Sequence, residues 1–489
     1  MEAIKHGVYA KRAKQNNGNI MGITSGIPVY IGTAPVHMTG SGINNVNTPV
    51  ICHTKEDVMK RLGYQDDFQS FSLCQAMYMH FFADDLEDVI SPVVFINVLD
   101  PEVHKKEMDM LTVPVSERTA IIPNGKVIPS TLNVQAGANK LEKEKDYLLS
   151  CEDNHVVITL LAGSSAASAT TLAVSGEVVD TDAVTSNTVI GGYDAETGTE
   201  KGCEAIRKIY PLFGVTASII AAPGYSHDPN VAAVLQAKCE CINGAFSADC
   251  IIDLDTEKCK SFEDIGRVKE ESGLISKHAY VVWPMVKKGG KIIYGSAAAA
   301  AIVQRTDAEN GDMPHLSPSN KAALIDEACL SDGTTVLMDL VHANTVNAYG
   351  VATFLNMEGY KLWGNYSAAY PDTSEPDEKF WSVNRFFTWK GNLFVRKYFS
   401  RIDGAGSTRF IEILVDEENM ECNGYVAAGV CAGAGIEFRK EEHTAEDIMS
   451  GNIKLHISLA PYLPLQSITA LMAFDINALM AEFAGGEDE

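Results

Sequence analysis

Before residue 100, the apolar positions alternate between runs of strand length and one segment with helical spacing. Residues 26–35, GIPVYIGTAP, form a short apolar run set between Gly and Pro, which predicts a strand. Residues 55–82 predict a helix, because large apolar side chains recur every three or four positions from Phe71 to Phe81. Residues 93–99, VVFINVL, are continuously apolar, as is typical of a strand buried on both faces. This order of strand, helix and strand indicates the start of an α/β layer.

The pattern changes between residues 101 and 199, where Val, Thr, Ser and Gly are frequent. Short apolar runs such as residues 156–161, VVITLL, are separated by turn signals, for example Asn124-Gly125 and Gly191-Gly192. Short strands with turns between them predict an all-β domain, a sandwich or a barrel, inserted into the α/β domain. An insert carried on a loop can vary without disturbing the core around it.

The α/β pattern resumes near residue 200 and continues to about residue 370. The strands are predicted at residues 217–222, 249–254, 279–283, 336–340 and 350–355, and the helices at residues 203–210, 229–243 and 297–305. Asp228 precedes Pro229 and is the expected N-cap of the second of these helices. Alternating strands and helices of this kind predict a doubly wound α/β fold.

A last unit begins near residue 371 and contains the clearest period-two pattern of the chain. Residues 381–400 are aromatic and helical in character, whereas residues 409–415 fit either a strand or a helix. From residue 451 to 459, apolar and polar side chains alternate, and the apolar set is Ile453, Leu455, Ile457 and Leu459. The predicted strand is either an ordinary edge strand of its own domain or part of a strand pairing between copies. In the second case, it is either the strand that is donated or the edge that accepts a strand.

Charge is distributed unevenly along the 489 residues. The net charge is -25, which disfavours nucleic acid as a partner and keeps monomers soluble. No Asp or Glu occurs from residue 3 to 54, and no Lys or Arg follows residue 454. The early basic residues are Lys5, Lys11, Arg12 and Lys14. The two ends are either solvated tails, or surfaces through which the basic end of one subunit meets the acidic end of another.

Length and composition are those of a soluble globular protein with about three domains. No apolar run approaches the ~18 residues of a membrane helix, and the first residues lack the apolar part of a secretory signal, so we expect synthesis in a cytoplasm. Eleven cysteines, an odd number with irregular spacing, argue against a disulfide framework. The tightest group lacks a second close pair, so buried free thiols are expected in preference to zinc. Its members are Cys239, Cys241, Cys250 and Cys259.

Motifs for catalysis or cofactor binding are missing from the sequence. It contains no GxxxxGK[ST] loop, no GxGxxG after a strand, no HExxH and no GxSxG. Ser296, Asp307 and His315 are close in sequence, but a catalytic triad is defined by geometry, and structural roles are expected for them. Asp253 and Asp255 end a predicted strand, where they either bind a cation or, as is more usual, cap the next helix. We therefore expect neither catalysis nor a cofactor nor a bound metal.

Several stretches, taken together in their order, resemble the tail sheath proteins of contractile phages and related contractile injection particles. Gly7-Val8-Tyr9 and residues 31–35, IGTAP, match the opening of that family. The inner matches are Pro223 and Gly224 in IIAAPGYS, Trp283 and Pro284 in VWPM, Arg305 and Asp307 in RTDAENG, and Trp363, Gly364 and Asn365 in LWGN, which FWSVNRFF follows. The resemblance covers most of the chain except the β insert. His6 stands where the family usually has Pro, and Tyr366 where it often has Arg, which indicates a divergent branch.

The resemblance implies a doubly wound, subtilisin-like α/β core with an inserted all-β domain, an α+β C-terminal domain and extended terminal arms. The implied layout is an N-terminal arm at residues 1–25, the core at residues 26–100 and 200–370, the insert at residues 101–199, the C-terminal domain at residues 371–460 and a C-terminal arm at residues 461–489. In that family, terminal arms donate strands to neighbouring subunits. The residues expected to take part in strand exchange here are Gly7, Val8, Tyr9, Ala10, Ile453, Leu455, Ile457 and Leu459.

The function that the resemblance implies is structural. Subunits polymerise helically around an inner tube, and contraction drives that tube through a cell envelope with energy stored in a metastable extended lattice. The implied partners are further copies of the chain, the inner tail tube protein, and baseplate and tail terminator proteins, without nucleic acid or membrane insertion. The particle is a phage tail, a tail-like bacteriocin or another injection system, assembled in the bacterial cytoplasm. Two alternatives stay open: a baseplate or inner-tube protein, and an α/β hydrolase-like enzyme.

Overall fold

The computed structural model of the protein describes residues 26–39, 45–83, 89–152 and 155–484. The strands in chain order are β1 Pro28–Gly32, β2 Pro49–Cys52, β3 Val93–Asn97, β4 Lys105–Pro114, β5 Thr119–Ile122, β6 Asn133–Ala136, β7 Asn139–Lys140, β8 Tyr147–Glu152, β9 His155–Leu160, β10 Thr171–Val179, β11 Gly192–Asp194, β12 Thr199–Lys201, β13 Ile219–Ala221, β14 Asp249–Asp253, β15 Ala279–Val282, β16 Met285–Lys288, β17 Lys291–Ile293, β18 Lys321–Ala322, β19 Glu327–Cys329, β20 Val351–Asn356, β21 Tyr360–Trp363, β22 Cys431–Glu437 and β23 His456–Pro461. The α-helices are α1 Lys55–Arg61, α2 Leu73–Met77, α3 Ser186–Ile190, α4 Ile209–Phe213, α5 Pro229–Glu240, α6 Ile265–Glu271, α7 Gly295–Glu309, α8 Leu340–Asn347, α9 Pro376–Lys379, α10 Trp381–Tyr398, α11 Thr408–Ala427, α12 Ala445–Met449 and α13 Ile476–Ala484.

A sheet of nine strands, counted over the described residues, lies at the centre, in the order β18-β21-β20-β15-β14-β13-β1-β3-β2. The strands from β20 to β3 run parallel, and the outer strands β21, β18 and β2 pair antiparallel. Every residue of β1, β3, β14 and β15 is buried, as expected for a parallel sheet covered on both faces. The structure therefore has the mixed α/β core that the sequence predicts.

Helix α7 lies against the middle of this sheet, and small residues allow its close approach. It contacts β1, β13, β14 and β15, and its side chains from Ala297 to Ala300 are fully buried. A Cβ on its first residue, Gly295, would come within 2.8 Å of the Pro284 carbonyl oxygen. Helix α5 packs on β13 and β14 with Val231 and Leu235 buried. Bulkier residues on α7 would push this helix away from the sheet, so the run of alanines sets the distance between α7 and the sheet.

Residues 105–179 form two antiparallel sheets with a hydrophobic core of their own. One sheet has the order β4-β10-β6-β7 and the other β5-β9-β8. The buried residues between them include Val134, Ile158 and Leu172. The predicted all-β character of this region is thus present, whereas the domain boundaries stay predictions. Across the described residues, no helix is both long and apolar enough to cross a membrane.

The prediction of one helix over residues 55–82 is wrong. Helix α1 stops at Arg61, because Gly63 adopts a φ of +73° and donates its N–H to the Val58 carbonyl oxygen at 3.0 Å. A left-handed glycine at this place is a common helix terminator. Turns follow, and helical structure resumes only with α2, which continues into a π-helical turn at Tyr78–Phe82.

Helix caps account for one further difference from the sequence predictions and decide one alternative that the sequence left open. Residues 336–340 form no strand, and Asp339 instead caps the start of α8. Residues 409–415, ambiguous from the sequence, lie within α11, which Ser407 caps. The helix predicted at residues 203–210 is a 3-10 helix that runs into α4.

Candidate assembly interface

Strands β22 and β23 form an antiparallel hairpin that pairs with no third strand among the residues described here. Ile436 on β22 lies opposite Ile457 on β23. The hairpin packs along α11, where Ile436 and Ile457 join Leu414 in a small apolar cluster. A two-stranded sheet has two outer edges, and the backbone donors and acceptors of each edge can bind another strand.

The outer edge of β22 is closed by a side chain from α11. Asn419 donates from Nδ2 to the Ile436 carbonyl oxygen at 3.0 Å, and its Oδ1 accepts the Ile436 N–H at 2.9 Å. Both backbone groups of Ile436 therefore point away from β23, which makes Ile436 and Ile457 a non-hydrogen-bonded pair of the ladder. A strand from outside cannot reach these groups of β22 without displacing Asn419.

The outer edge of β23 is open at two positions. Because Ile457 belongs to a non-hydrogen-bonded pair, its N–H and carbonyl also point away from the hairpin, and Leu459, two residues on, has the same orientation. The described residues supply no hydrogen-bond partner for these outward groups. The side chains of Ile457 and Leu459 turn inward and are half-buried against apolar clusters. The predicted strand therefore presents its backbone to solvent, and its apolar face to the core.

The strand predicted at residues 451–459 is correct in pattern but wrong in its start. Strand β23 begins at His456, so Ile453 and Leu455 precede it. The N–H of Lys454 donates to Nε2 of His443 at 2.8 Å, which holds this part of the chain in the preceding turn. Leu455 still packs in the α11 cluster, whereas Ile453 is 40% exposed. The other four strand-exchange candidates, Gly7, Val8, Tyr9 and Ala10, lie outside the described residues.

Apolar side chains continue after β23 without being buried. Leu471 and Met472 are each 95% exposed, and other large apolar residues of this segment are also exposed. Large apolar side chains exposed in this number make the segment a candidate interaction site. The exposed residues are Tyr462, Leu463, Leu465, Ile468, Leu471, Met472, Phe474, Ile476, Leu479, Met480 and Phe483.

Helix α10 is fixed to the α/β core by buried polar contacts. Arg385 donates to Oδ2 of Asp307 on α7 at 2.5 Å, and these side chains are 2% and 1% exposed. Asn384 donates to Oδ1 of Asp249, at the start of β14, at 2.7 Å. Arg305, two residues before Asp307, is half-buried on α7. The stretch that contains Arg305 and Asp307 therefore seats α10 on the core.

His278 extends the same contact. Its Nδ1 lies 3.1 Å from Oδ1 of Asp249, and its carbonyl oxygen accepts the indole N–H of Trp381 at 3.2 Å. Burial lowers the pKa of His278, but the hydrogen bond and the negative charge of Asp249 outweigh it, so the pKa is raised overall. The Trp381 ring stacks on Tyr280 of β15 with 4.5 Å between centroids. The raised pKa means that protonation of His278 favours the folded state, in which Asp249 lies beside its ring.

A buried ionic cluster joins the second half of α10 to α11. Lys390 is 1% exposed and forms ion pairs with Glu418, which is fully buried, and with Glu421. Lys397 lies 3.0 Å from Glu418 and 2.7 Å from Glu421. Burial raises the pKa of Glu421, but hydrogen bonds from Lys397, Tyr425 and Lys390 outweigh it and lower the pKa to about 2. Helix α10 thus connects the α/β core to α11, which carries the hairpin.

The LWGN stretch shapes the place where α10 begins. Gly364 has a φ of +150°, and a Cβ there would come within 2.8 Å of the β20 backbone. Its carbonyl oxygen accepts the Tyr280 hydroxyl at 2.7 Å, and the Asn365 carbonyl accepts the Trp381 N–H at 3.0 Å. The indole of Trp363 donates to Asn344 on α8 at 3.1 Å. These contacts fix the backbone at this end of the sheet, so the motif residues stabilise the packing there.

The remaining motif residues also make structural contacts. Pro223 and Gly224 form the turn after β13, and the indole N–H of Trp283, which precedes Pro284, donates to the Cys259 carbonyl oxygen at 2.9 Å. The thiols are buried as predicted at Cys239, Cys250 and Cys259, but Cys241 is exposed.

Asp253 caps helix α7 from the end of β14. Its carboxylate accepts the Ser296 N–H at 2.7 Å, the Ser296 hydroxyl at 2.5 Å and the Ser226 hydroxyl at 2.8 Å. Burial raises the pKa of this carboxyl group, although the hydrogen bonds oppose the shift. Ser296 is fully buried, and Asp307 pairs with Arg385, so the two are tied into different contacts. Asp255 pairs with Lys258 at 3.2 Å, and the described residues contain no cluster of three metal-ligating side chains.

Comparison with known proteins finds tail sheath proteins among the relatives of this chain. The tail sheath protein of Burkholderia phage BcepMu is 23% identical over 486 residues, which cover 95% of each chain. The tail sheath protein of Escherichia phage P2 is 22% identical over 302 residues, or 59% of this chain and 70% of that protein. These relatives are homologues of this chain and support its placement with the contractile tail sheath proteins. No protein family model matches it.

Solved structures share the fold of this sheath homologue. A chain in the cryo-EM structure of the anti-feeding prophage baseplate superposes with a TM-score of 0.56 at 12% identity, covering 97% of this chain and 99% of that one. The sheath tail protein of Desulfitobacterium hafniense superposes with a TM-score of 0.51 at 11% identity, covering 88% and 93%. Its relatives in sequence are tail sheath proteins, which supports a structural role in a sheath.

Two residues that shape the hairpin and its attachment to the core were not singled out from the sequence. Asn419 lies in the middle of α11, where Asn is an unfavourable helix residue, and this is the signal that could have identified it. Arg385 lies within the FWSVNRFF stretch, but nothing local to it indicates that its partner is Asp307. Both side chains act through partners that only the fold brings near.

Proposed function

We propose that this chain is the structural subunit of a contractile tail sheath. Its copies polymerise helically around an inner tube, and contraction of the polymer drives that tube through a cell envelope. The observation that carries the proposal is the open edge of β23, which lies next to an exposed apolar tail in a homologue of tail sheath proteins. Such an edge and such a tail are incomplete in a single copy.

Pairing between copies takes place at the β23 edge in this proposal. Ile457 and Leu459 offer outward N–H and carbonyl groups to an extended segment of a neighbouring copy. Because Asn419 occupies the β22 edge at Ile436, the hairpin accepts a strand on one side, and the contact has a direction. A head-to-tail contact that does not close produces a helical polymer. The terminal arms, one basic and one acidic, are the segments that we expect to donate strands.

Contraction draws on the lattice and needs no nucleotide in this proposal. Helix α10 joins the α/β core to the hairpin through buried ion pairs, so each copy moves as one rigid unit. A change of lattice then alters contacts between copies and the course of the arms, while the fold of each copy is kept. We propose that the extended lattice is kinetically trapped. Even ~1 kcal/mol per subunit sums to a large total over a long polymer.

The remaining partners in this proposal are those of a sheath. They are the inner tail tube protein, a baseplate at one end and a tail terminator at the other. The net charge of -25 disfavours nucleic acid as a further partner. The particle is a virion tail or a tail-like particle, and it assembles in the cytoplasm of the bacterial host.

Negative-stain microscopy of the purified protein tests the proposal. We expect hollow tubes of variable length, whereas a baseplate protein would form closed complexes of fixed size. Deletion of residues 1–25, or of residues 462–489, leaves the described core and β23 in place and should give folded monomers that do not form tubes. Circular dichroism and sedimentation velocity establish that these variants are folded and monomeric. Tubes of normal length from both deletion variants would contradict the proposal.

A further inference from the structure

Residues 105–179 fold into two sheets around a hydrophobic cluster of their own, and we refer to them as the β unit. This cluster, which contains Val134, Ile158 and Leu172, is separate from the cluster around the central sheet. Two units with separate cores turn relative to each other unless a large apolar interface joins them. The contacts between the β unit and the rest of the chain therefore decide whether the β unit has one fixed orientation.

The two chain connections to the β unit lie side by side. The first is residues 101–104, and the second begins at Asp180, whose N–H donates to the His104 carbonyl oxygen at 2.9 Å. Lys106, at the start of β4, pairs with Asp180 at 2.9 Å. Val103 in the first connection is 69% exposed. Two short neighbouring connections form a hinge, because small backbone rotations within them turn the whole unit.

A third contact lies in the turn after β5, on the side of β10 that faces away from β4. The N–H of Val179 on β10 donates to the Lys126 carbonyl oxygen at 2.8 Å, which places the neighbouring Gly125 at the base of the β unit. Gln65 donates from Nε2 to the Gly125 carbonyl oxygen at 2.6 Å, and His37 donates from Nε2 to the same oxygen at 2.9 Å. Both donors are buried and belong to the α/β core. We refer to these two hydrogen bonds as the latch.

The latch requires a glycine at its centre. A Cβ on Gly125 would come within 2.3 Å of Oε1 of Gln65, so any larger residue would displace the Gln65 amide. Burial lowers the pKa of His37 to about 4, so its ring is neutral at pH 7 and Nε2 carries the proton that it donates. Beside the latch, Ile128 packs in the cluster of the core, and Met38 packs against the cluster of the β unit. The apolar contact at this point is thus small, and the hydrogen bonds supply its direction.

We infer that the latch holds the β unit in one orientation on the core, and that the unit turns about residues 101–104 and 180–183 when the latch is broken. Two connections that lie side by side fix the position of the unit but leave a rotation free, and the third contact removes that rotation. The β unit keeps its fold in either orientation, because its hydrophobic cluster lies within it. The latch is a feature of a single copy and does not depend on polymerisation.

The exposed cysteines of the chain allow this orientation to be measured. Cys151 on β8 of the β unit and Cys241 after α5 of the core are exposed, and the other nine cysteines are buried. Nitroxide labels are attached to Cys151 and Cys241 of the full-length chain, which is then diluted with an excess of unlabelled chain. Double electron–electron resonance measures the distance between the two labels within one copy. We expect one narrow distance distribution, and a broad one would show that nothing fixes the β unit.

Matched variants of two glycines test the latch itself. Gly125→Ala and Gly163→Ala each add one methyl group to the β unit, but a Cβ at Gly163 would meet no atom within 4 Å. We expect Gly125→Ala to lower the ratio of docked to released copies roughly tenfold or more, because it disturbs buried hydrogen bonds. Its distance distribution should broaden, while that of Gly163→Ala stays narrow. His37→Gln keeps an N–H donor and should broaden the distribution less than His37→Phe, which has none.

Hydrogen exchange separates turning of the β unit from its unfolding. Strand β9 lies between β5 and β8, so its amides should stay protected in Gly125→Ala if the unit turns as a folded body. A narrow, unshifted distance distribution in Gly125→Ala would overturn the inference. Loss of protection in β9 would overturn it as well, because the β unit would then unfold when the latch is broken. The sheath proposal stands or falls independently of these results.

Discussion

Arg385 on α10 and Asp307 on α7 form an ion pair in which neither side chain is more than 2% exposed. The two residues are 78 positions apart in the sequence and come from two of the stretches that resemble tail sheath proteins. The pair is therefore the point at which these stretches meet, and it fixes the helix that leads to the hairpin onto the α/β core. Its burial makes it sensitive to the loss of one partner, since the other charge would stay in the interior without the ion pair between them.

We expect Arg385→Met to lower the free energy of unfolding by about 3–5 kcal/mol, because Asp307 is left buried beside an apolar side chain. Arg267→Met is the matched control, since Arg267 is 53% exposed and pairs with Asp264 and Glu271 at the surface. This control should cost less than about 1 kcal/mol. Urea unfolding followed by circular dichroism measures both. Equal losses in the two variants would show that the Arg385 pair contributes no more than a surface pair.

Asn419→Ala should open the β22 edge. The variant leaves the N–H and carbonyl of Ile436 without the partners that Asn419 now provides at 2.9 and 3.0 Å. We expect faster hydrogen exchange at the Ile436 amide and a loss of about 1–3 kcal/mol in the free energy of unfolding. Asn423→Ala, an exposed site one turn further along α11, is the control and should leave the Ile436 amide protected. Unchanged exchange in Asn419→Ala would mean that another group closes this edge.

Proline at neighbouring positions of β23 should separate assembly from folding. The Ile457 N–H points out of the hairpin, so Ile457→Pro removes an edge donor without removing a ladder hydrogen bond. Ser458 lies in a hydrogen-bonded pair with Gly435, so Ser458→Pro removes a bond inside the hairpin. We expect folded monomers that fail to polymerise from the first variant and a destabilised hairpin from the second. Hydrogen exchange of β22 and electron microscopy distinguish them, and tubes formed by Ile457→Pro would argue against pairing at this edge.

Titration of Lys269 should make the free energy of unfolding depend on pH in the alkaline range. Its ammonium group donates to the carbonyl oxygens of Ala368 at 2.7 Å and Tyr370 at 2.6 Å, and burial lowers its pKa from 10.5 to about 8. Between these two values the unfolded chain holds more protons than the folded one, so the contribution of Lys269 to the free energy of unfolding rises with pH. Below about pH 8 both states are protonated, and the contribution no longer changes.

The test compares the unsubstituted chain with Lys269→Met over this range. From pH 8 to 10.5, the unsubstituted chain should gain stability relative to the variant by on the order of 3 kcal/mol. Lys258→Met, at a side chain that is 57% exposed, is the control and should follow the unsubstituted chain. Urea unfolding at several pH values measures the difference. A constant difference between the unsubstituted chain and Lys269→Met would contradict the prediction.

Local patterns in the sequence determined the elements of the core. Continuous apolar runs predicted β3, β14 and β15, and each of them is buried along its whole length. The alternation around Ile457 and Leu459 predicted which side chains turn inward. These predictions succeeded because the side chains that face the core must be apolar. Their spacing along the sequence, every two residues in a strand and every three to four in a helix, therefore indicates the element directly.

The tertiary structure alone decided which polar groups meet. The pattern around Ile457 predicts a strand, but not that only one edge of its hairpin is open, because Asn419, 17 residues before Ile436, closes the other edge from α11. The partner of Asp307 was likewise beyond the local pattern, whereas the end of α1 follows from the local glycine, Gly63. Hydrogen bonds and ion pairs form only within about 3 Å, and such distances between remote residues are set by the packing of the whole chain.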